Sequence, residues 1–145
     1  MALYGPAARI TDRPLHKALN VIGNEKHNSL QKNISLIQIV NINCDLITNW
    51  ESFHLTFRSV FGFPDFYGNN MNAWIDCMSY IDDKDSGMTN VIISDSDTLL
   101  LNLENSENFK KRCIDIYFEL LECVAFVNCR NIERNSGVMI AVSSS

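Results

Sequence analysis

One almost continuously apolar segment, residues 34–42, constrains the fold of this chain more than any other. Its sequence, ISLIQIVNI, is rich in β-branched side chains and mostly apolar on both faces, which is typical of a strand that is covered on both sides. Such strands occur in parallel sheets whose members are joined by helical crossovers. The segment therefore predicts an α/β fold that is built around a parallel sheet.

The residues after this strand predict a first helix. Thr48 and Glu51 have the spacing of a capping box, in which a hydroxyl and a carboxylate satisfy the first free backbone donors. The helix should end at Gly62, which is followed by a proline. Its core-facing stripe is predicted to contain Trp50, Phe53, Phe57 and Val60.

A second helix should begin at Asn69 or Asn70, since either side chain can cap it, and run to about Ile81. Four of its apolar residues recur at helical spacing and predict a stripe that faces the core. These residues are Trp74, Cys77, Met78 and Ile81. Asn72, Asp76 and Ser79 lie on a different face, and Met71 and Ile75 flank that polar row. The helix thus carries more apolar surface than one buried stripe requires, and apolar side chains beside a carboxylate can anchor a protein partner.

The remaining residues predict two more strands and a long helix. Residues 90–93, NVII, and residues 138–142 have the composition of short strands. The leucines within 99–103 are expected to form a short packing helix between them. Ser106 can cap the long helix, whose apolar positions repeat every three or four residues. These positions are Phe109, Cys113, Ile116, Leu120, Val124 and Val127.

These elements define a small three-stranded parallel sheet with packed helices. We assign them to one domain over residues 34–145, because a chain of 145 residues with 46% hydrophobic residues is in the range that buries one core. Residues 1–33 are rich in polar residues and prolines without a sustained period, and we treat them as an N-terminal extension whose role cannot be read.

Composition and charge narrow the class of function. No long apolar run or secretory signal is present in the sequence, so we expect a cytoplasmic protein that does not bind a membrane. The five cysteines are an odd number, which favours free thiols in a reducing compartment. The net charge of -5 disfavours direct binding to nucleic acid and suits a basic protein partner.

Residues 63–78, FPDFYGNNMNAWIDCM, resemble the signature of the barstar family of intracellular ribonuclease inhibitors. The positions that match in register are Pro64, Tyr67, Gly68, Asn70, Ala73, Asp76 and Cys77. The resemblance extends less specifically over residues 36–143. Residues 1–33 have no counterpart in the family.

The resemblance implies that the signature helix and the loop before it block the active site of a toxin ribonuclease, with Asp76 in the place of a substrate phosphate. The partner would be a basic toxin nuclease domain, and no cofactor would be needed. The positions that the resemblance and the helical period assign to the partner-facing surface are Phe66, Asn70, Met71, Asn72, Ile75, Asp76 and Ser79.

This chain departs from the family's pattern at several of these positions. The pattern has an aspartate where this chain has Asn72, a tyrosine at Phe66, and a Leu-Trp pair at Trp74 and Ile75. Loss of one carboxylate and one hydroxyl removes groups that can carry much of the binding energy in such an interface. We therefore expect a target other than barnase.

An enzyme is the alternative interpretation. Residues 91–100, VIISDSDTLL, place Asp95 and Asp97 after an apolar segment, as in Mg²⁺-dependent phosphate-handling enzymes of the haloacid dehalogenase type. Thr98 follows Asp97 directly, whereas that motif has a residue between them, so we favour a non-enzyme. The cysteines lack metal-ligand spacing, and we expect no metal site.

Overall fold

The computed structural model describes residues 34–145. The predicted extension, residues 1–33, lies outside the described residues. The strands are β1 (Ile37–Asn43), β2 (Thr98–Glu104) and β3 (Met139–Ser144). The α-helices are α1 (Trp50–Phe61), α2 (Met71–Met78), α3 (Ser106–Arg112) and α4 (Ile114–Glu133), and short 3-10 turns occupy Cys44–Leu46 and Lys84–Ser86.

In this part of the chain the strands form a three-stranded sheet in the order β1-β2-β3, with both pairs parallel. The predicted α/β class and the parallel sheet are therefore confirmed. A polar ladder crosses all three strands. The Asn102 amide donates to Asn41 Oδ1 at 3.0 Å, and its oxygen accepts from the Ser143 hydroxyl at 3.0 Å. Because a slip of one residue would turn these side chains to the other face, the ladder favours a single register.

The prediction of a strand at residues 90–93 is wrong. Residues 90–93 form an irregular segment in which the backbone amides of Asn90 and Ile93 donate to the carbonyls of Phe61 and Ile81, both at 2.7 Å. The strand is instead the leucine run that was predicted to be a helix. Leu99, Leu101 and Leu103 are fully buried, and the residues between them are partly exposed. This period of two shows that tertiary packing has overridden the helical propensity of leucine.

The first strand lies where the sequence predicts it, but residues 34–145 do not cover both of its faces. Leu99, Leu101 and Leu103 lie on the buried face of the sheet, whereas Ile39 on the opposite face is 62% exposed. Ile42 is the one β1 residue that is fully buried. This segment therefore contains more apolar side chains than the described residues bury.

Helix α1 begins one residue later than its predicted capping box. The Asn49 side chain accepts from Ser52 N at 2.8 Å, and Ser52 Oγ accepts from Asn49 N at 3.0 Å, so this pair caps the helix instead of Thr48 and Glu51. The predicted end at Gly62 is confirmed, with the left-handed φ of 65° that favours glycine. The prediction of its core-facing stripe is partly wrong. Its buried aromatic residues are Phe53, Phe57 and Phe61, whereas Trp50 and Val60 are exposed.

The predicted long helix is two helices, α3 and α4, which are separated at Cys113 (φ -136°, ψ 56°). Arg112 at the end of α3 donates to the carbonyls of Cys44 and Ile47, at 2.9 and 2.8 Å, and so ties the break to the turn after β1. Ser106 is not the cap, because its hydroxyl donates to Ser145 O. All six of the apolar residues predicted along this segment are nevertheless buried.

All five cysteines are free thiols, and Cys129 is the exposed one. Burial raises the pKa of Cys44 to about 12 and the pKa of Cys123 to about 11, so both thiols stay protonated at neutral pH. Among the helices of residues 34–145, none has the length and apolar character that crossing a membrane would require.

The corrected strand can be tested by replacing a leucine of β2. Leu101→Ala should lower the free energy of unfolding by about 2–5 kcal/mol, since it removes buried methyl groups from the central strand. Leu55→Ala is the matched control, because Leu55 is 64% exposed on α1 and its replacement should cost at most about 0.5 kcal/mol. Urea denaturation measures both. Equal losses in the two variants would contradict the placement of Leu101 in the core.

Candidate functional site

Helix α2 begins at one of the two predicted caps, Asn70. Its side-chain oxygen accepts from Ala73 N at 2.8 Å, and its amide donates to Gly68 O at 3.1 Å. Asn69 before it takes a left-handed φ of 51°. One side chain therefore fixes both the first turn of α2 and the end of the preceding loop. The helix ends at Met78, earlier than predicted.

The core-facing side of α2 is as predicted. Trp74, Cys77 and Met78 are buried, and so is Ile81 beyond the helix end. The Trp74 ring packs edge to face on Phe57 of α1, with 5.7 Å between ring centroids. Burial, with a smaller effect from Asp76, raises the pKa of Cys77 to about 11, so this thiol is not poised to be a nucleophile. The helix is thereby held firmly against the rest of the molecule.

The opposite side of α2 presents a carboxylate to solvent. The Asp76 side chain is 62% exposed, and Asn72 one turn earlier is also exposed. Met71 and Ile75 are partly buried and pack against the core. The structure thus brings four of the predicted surface residues together on one face, with a charge among apolar groups.

Ser79 does not belong to this exposed face. It is buried, and its hydroxyl donates to Ile75 O at 2.6 Å. Its own carbonyl accepts from Arg134 Nη2 at 2.9 Å. The helical period placed Ser79 beside Asp76, but the helix ends before it and the residue turns inward. We therefore leave Ser79 out of the candidate surface.

The loop between α1 and α2 projects Phe66 outward. Phe63 and Tyr67 on either side of it are buried, with 4.7 Å between their ring centroids. The amide of Tyr67 donates to Pro64 O at 2.9 Å and closes a tight turn. Phe66 at the tip of this turn is 76% exposed, a large apolar surface to leave in water.

A buried pair of polar side chains anchors the same loop. Tyr67 Oη lies 2.5 Å from Nδ1 of His54, which is buried on α1 and stacks on Trp50. Burial lowers the pKa of His54 and raises the pKa of Tyr67, so both groups are neutral at neutral pH and the phenol can donate to the imidazole. Sequence spacing did not reveal this pair, because its members belong to different elements.

Arg130 of α4 also reaches the candidate surface. Arg130 Nη1 lies 3.5 Å from Asp76 Oδ1, and the Arg130 guanidinium lies 6.0 Å from the ring centroid of Phe126. The spacing of Phe126 and Arg130, one helical turn apart, was visible in the sequence. The proximity of Arg130 to α2 was not, because it depends on how the two helices pack.

Asp95 and Asp97, the carboxylates of the alternative enzyme interpretation, both accept hydrogen bonds from other parts of the fold. Asp97 is buried and accepts from Leu36 N at 3.0 Å and from Gln38 Nε2 at 3.4 Å. Asp95 accepts from Gly137 N at 2.7 Å. A side chain at Gly137 would meet the Asp95 carboxylate at 2.9 Å, so the two segments approach closely. Among residues 34–145 no group of three or more acidic, histidine or cysteine side chains is arranged to hold a metal ion.

These features define a small α/β protein in which a short helix, packed on the core, exposes a carboxylate beside apolar side chains. Residues 37–142 match the family model described as Barstar (barnase inhibitor). The chain therefore belongs to the barstar family, and the resemblance of its signature segment is confirmed. A comparison with curated proteins finds no match.

The burial of His54 predicts that acid destabilises the protein. Because burial lowers the pKa of folded His54 below its ordinary value of about 6.5, the unfolded chain takes up a proton first as the pH falls. The stabilising contribution is therefore present above about pH 6.5 and is lost as the pH falls toward the lowered pKa. Urea denaturation at about pH 7.5 and about pH 5.5 measures the loss.

The control variants separate this histidine from the other titrating groups. His54→Gln should be less stable at neutral pH but should lose less stability on acidification than the native protein. Tyr67→Phe keeps the imidazole and should retain the pH dependence. An identical loss in His54→Gln and in the native protein would refute the assignment.

Proposed function

We propose that this protein is a cytoplasmic immunity protein that binds and blocks the active site of a toxin ribonuclease. The observation that carries the proposal is the exposed carboxylate of Asp76 on a helix held by the buried Trp74, Cys77 and Met78. Family membership supports an inhibitor of a ribonuclease in general. The proposal adds the surface through which it binds.

The chemistry of Asp76 suits the active site of a ribonuclease. An enzyme that binds RNA phosphates concentrates cationic donors, and a carboxylate among them forms charge-assisted hydrogen bonds. A carboxylate on a fixed helix binds with little loss of conformational freedom. The net charge of -5 also favours rapid association with a basic protein. Asp76 would thus occupy the position of a substrate phosphate.

Apolar and amide groups surround this carboxylate in the proposed interface. Its proposed members are Phe66, Asn70, Met71, Asn72, Ile75 and Asp76. Phe66 would supply the aromatic anchor that such interfaces often use. Of the residues at which this chain departs from the family's pattern, Phe66, Asn72 and Ile75 lie in this group, and they are our reason for proposing a nuclease other than barnase.

A neutralisation assay tests the proposal. Each secreted toxin domain with a predicted nuclease fold from the source organism is produced with and without this protein, and bacterial survival and RNA cleavage are measured. Full protection against one ribonuclease, with weak or no inhibition of barnase, is the expected result. Failure to protect against any of them would overturn the proposed function.

Asp76→Ala should weaken binding to the neutralised nuclease by at least about 2 kcal/mol, as expected for a central charge that faces a cationic site. Asp76→Asn, which keeps the size and removes the charge, should give most of this loss. Isothermal titration calorimetry measures both. Unchanged affinity in either variant would contradict the role of the charge.

Folding and binding effects can be separated at this position. The Asp76 and Arg130 side chains are 62% and 38% exposed, so their ion pair stabilises the fold by about 0–1 kcal/mol. Asp115→Ala is a suitable control, because it removes an exposed carboxylate near the start of α4, about 22 Å along the helix axis from Arg130. We expect this control to bind like the native protein.

A further inference from the structure

Arg130 lies beside the carboxylate that is proposed to enter the nuclease. Its Nη1 is 3.5 Å from Asp76 Oδ1, and both side chains are partly exposed. A cation in this position is unexpected on a surface that recognises a cationic site. At an effective dielectric constant of about 20, a like charge about 6 Å away weakens association by roughly a hundredfold. A partner that places an anionic group beside Arg130 would offset this repulsion.

Arg130 differs from its neighbour Arg134, which is held by the fold. Arg134 Nη2 donates to Ser79 O at 2.9 Å and to Asn131 Oδ1 at 2.8 Å. Among residues 34–145, by contrast, the Arg130 guanidinium makes one ion-pair contact, with Asp76, and no hydrogen bond. A guanidinium carries five donors in a planar fork. Most of the donors of Arg130 are thus available to a partner.

Phe126 holds this guanidinium at the surface. The Arg130 guanidinium lies 6.0 Å from the centroid of the Phe126 ring, one helical turn earlier, and the ring is itself exposed. A cation near an aromatic face is attracted by the ring quadrupole and gives up few bonds to water. The charge is therefore partly ordered before any partner arrives. Asp76 and Arg130 together form an exposed pair of opposite charges, 3.5 Å apart.

We propose that Arg130 determines which nuclease is bound, by pairing with a carboxylate in the nuclease active site. The inference rests on the proposed function. A ribonuclease needs a base to remove the proton from the attacking hydroxyl, and a carboxylate often serves, next to the cations that hold the phosphate. Asp76 meets those cations, and Arg130 meets the carboxylate. A nuclease with cations alone in this region is repelled by Arg130.

Affinity measurements on charge variants test this role with the nuclease that the native protein neutralises. Arg130→Ala should weaken binding roughly tenfold, and Arg130→Glu should weaken it further. Lys111→Glu is the control, because it makes the same change in net charge near the opposite end of α4 and should alter affinity by less than about twofold. Unchanged or tighter binding by Arg130→Ala would overturn the inference, since Arg130 would then only mask Asp76.

A double-mutant cycle identifies the partner group. The active-site carboxylate of the nuclease is replaced by its amide, and the affinity of this variant is measured with the native protein and with Arg130→Ala. If the two groups pair, Arg130→Ala should have little further effect on the amide variant. A tenfold loss that persists in this background would refute the assigned carboxylate.

The outcomes distinguish the inference from the proposed function. Protection by the native protein together with loss of affinity in Asp76→Ala supports the proposed function, whatever Arg130 does. If these hold and Arg130→Ala binds normally, the inference about Arg130 alone is wrong. If the native protein protects against no ribonuclease, both fail. Near-ultraviolet circular dichroism from the buried Trp74 checks that each variant is folded.

Discussion

The packing of Trp74 against Phe57 is the interaction on which the candidate site depends. Helix α2 spans eight residues and is too short to persist in water alone, so its shape comes from tertiary packing and its Asn70 cap. The Trp74 indole nitrogen has no partner among residues 34–145, which costs about 1–3 kcal/mol. Burying roughly 200 Å² of the ring contributes about 5 kcal/mol and outweighs this cost. The packing of the buried face of α2 thus fixes the position of its exposed face.

Local signals in the sequence predicted much of this architecture. The cap at Asn69 or Asn70, the end of α1 at Gly62 and the buried stripe of α2 depend on neighbouring residues, and all are confirmed, with Asn70 as the cap. The leucines of 99–103 show where local signals fail. Leucine favours helices, and these residues form the central strand because β1 and β3 flank them. Both partner strands, β1 and β3, lie far from this run in the sequence. The run alone therefore could not reveal that it forms a strand.

The candidate site likewise combines residues that local sequence signals predicted with residues that they missed. Periodicity and resemblance placed Asp76 and Asn72 on an exposed face, since both lie on one short helix. Ser79 was misplaced because the helix ends one residue before it. Arg130 and the His54 to Tyr67 pair were not predicted, since each contact joins side chains from different segments of the fold. Contacts of this kind become visible only when the packing of α1, α2 and α4 is known.

The polar ladder across the sheet has a consequence for the order of assembly. Asn41 and Asn102 are 61 positions apart, and Asn102 and Ser143 are 41 apart. Each pairing closes a long loop, and such closures are slow because chain entropy is lost before contacts form. Helices α1 and α2 lie inside the first loop, and α2 packs against α4, which follows β2 in the chain. During synthesis on the ribosome, α2 therefore waits for a packing partner, α4, that emerges after β2.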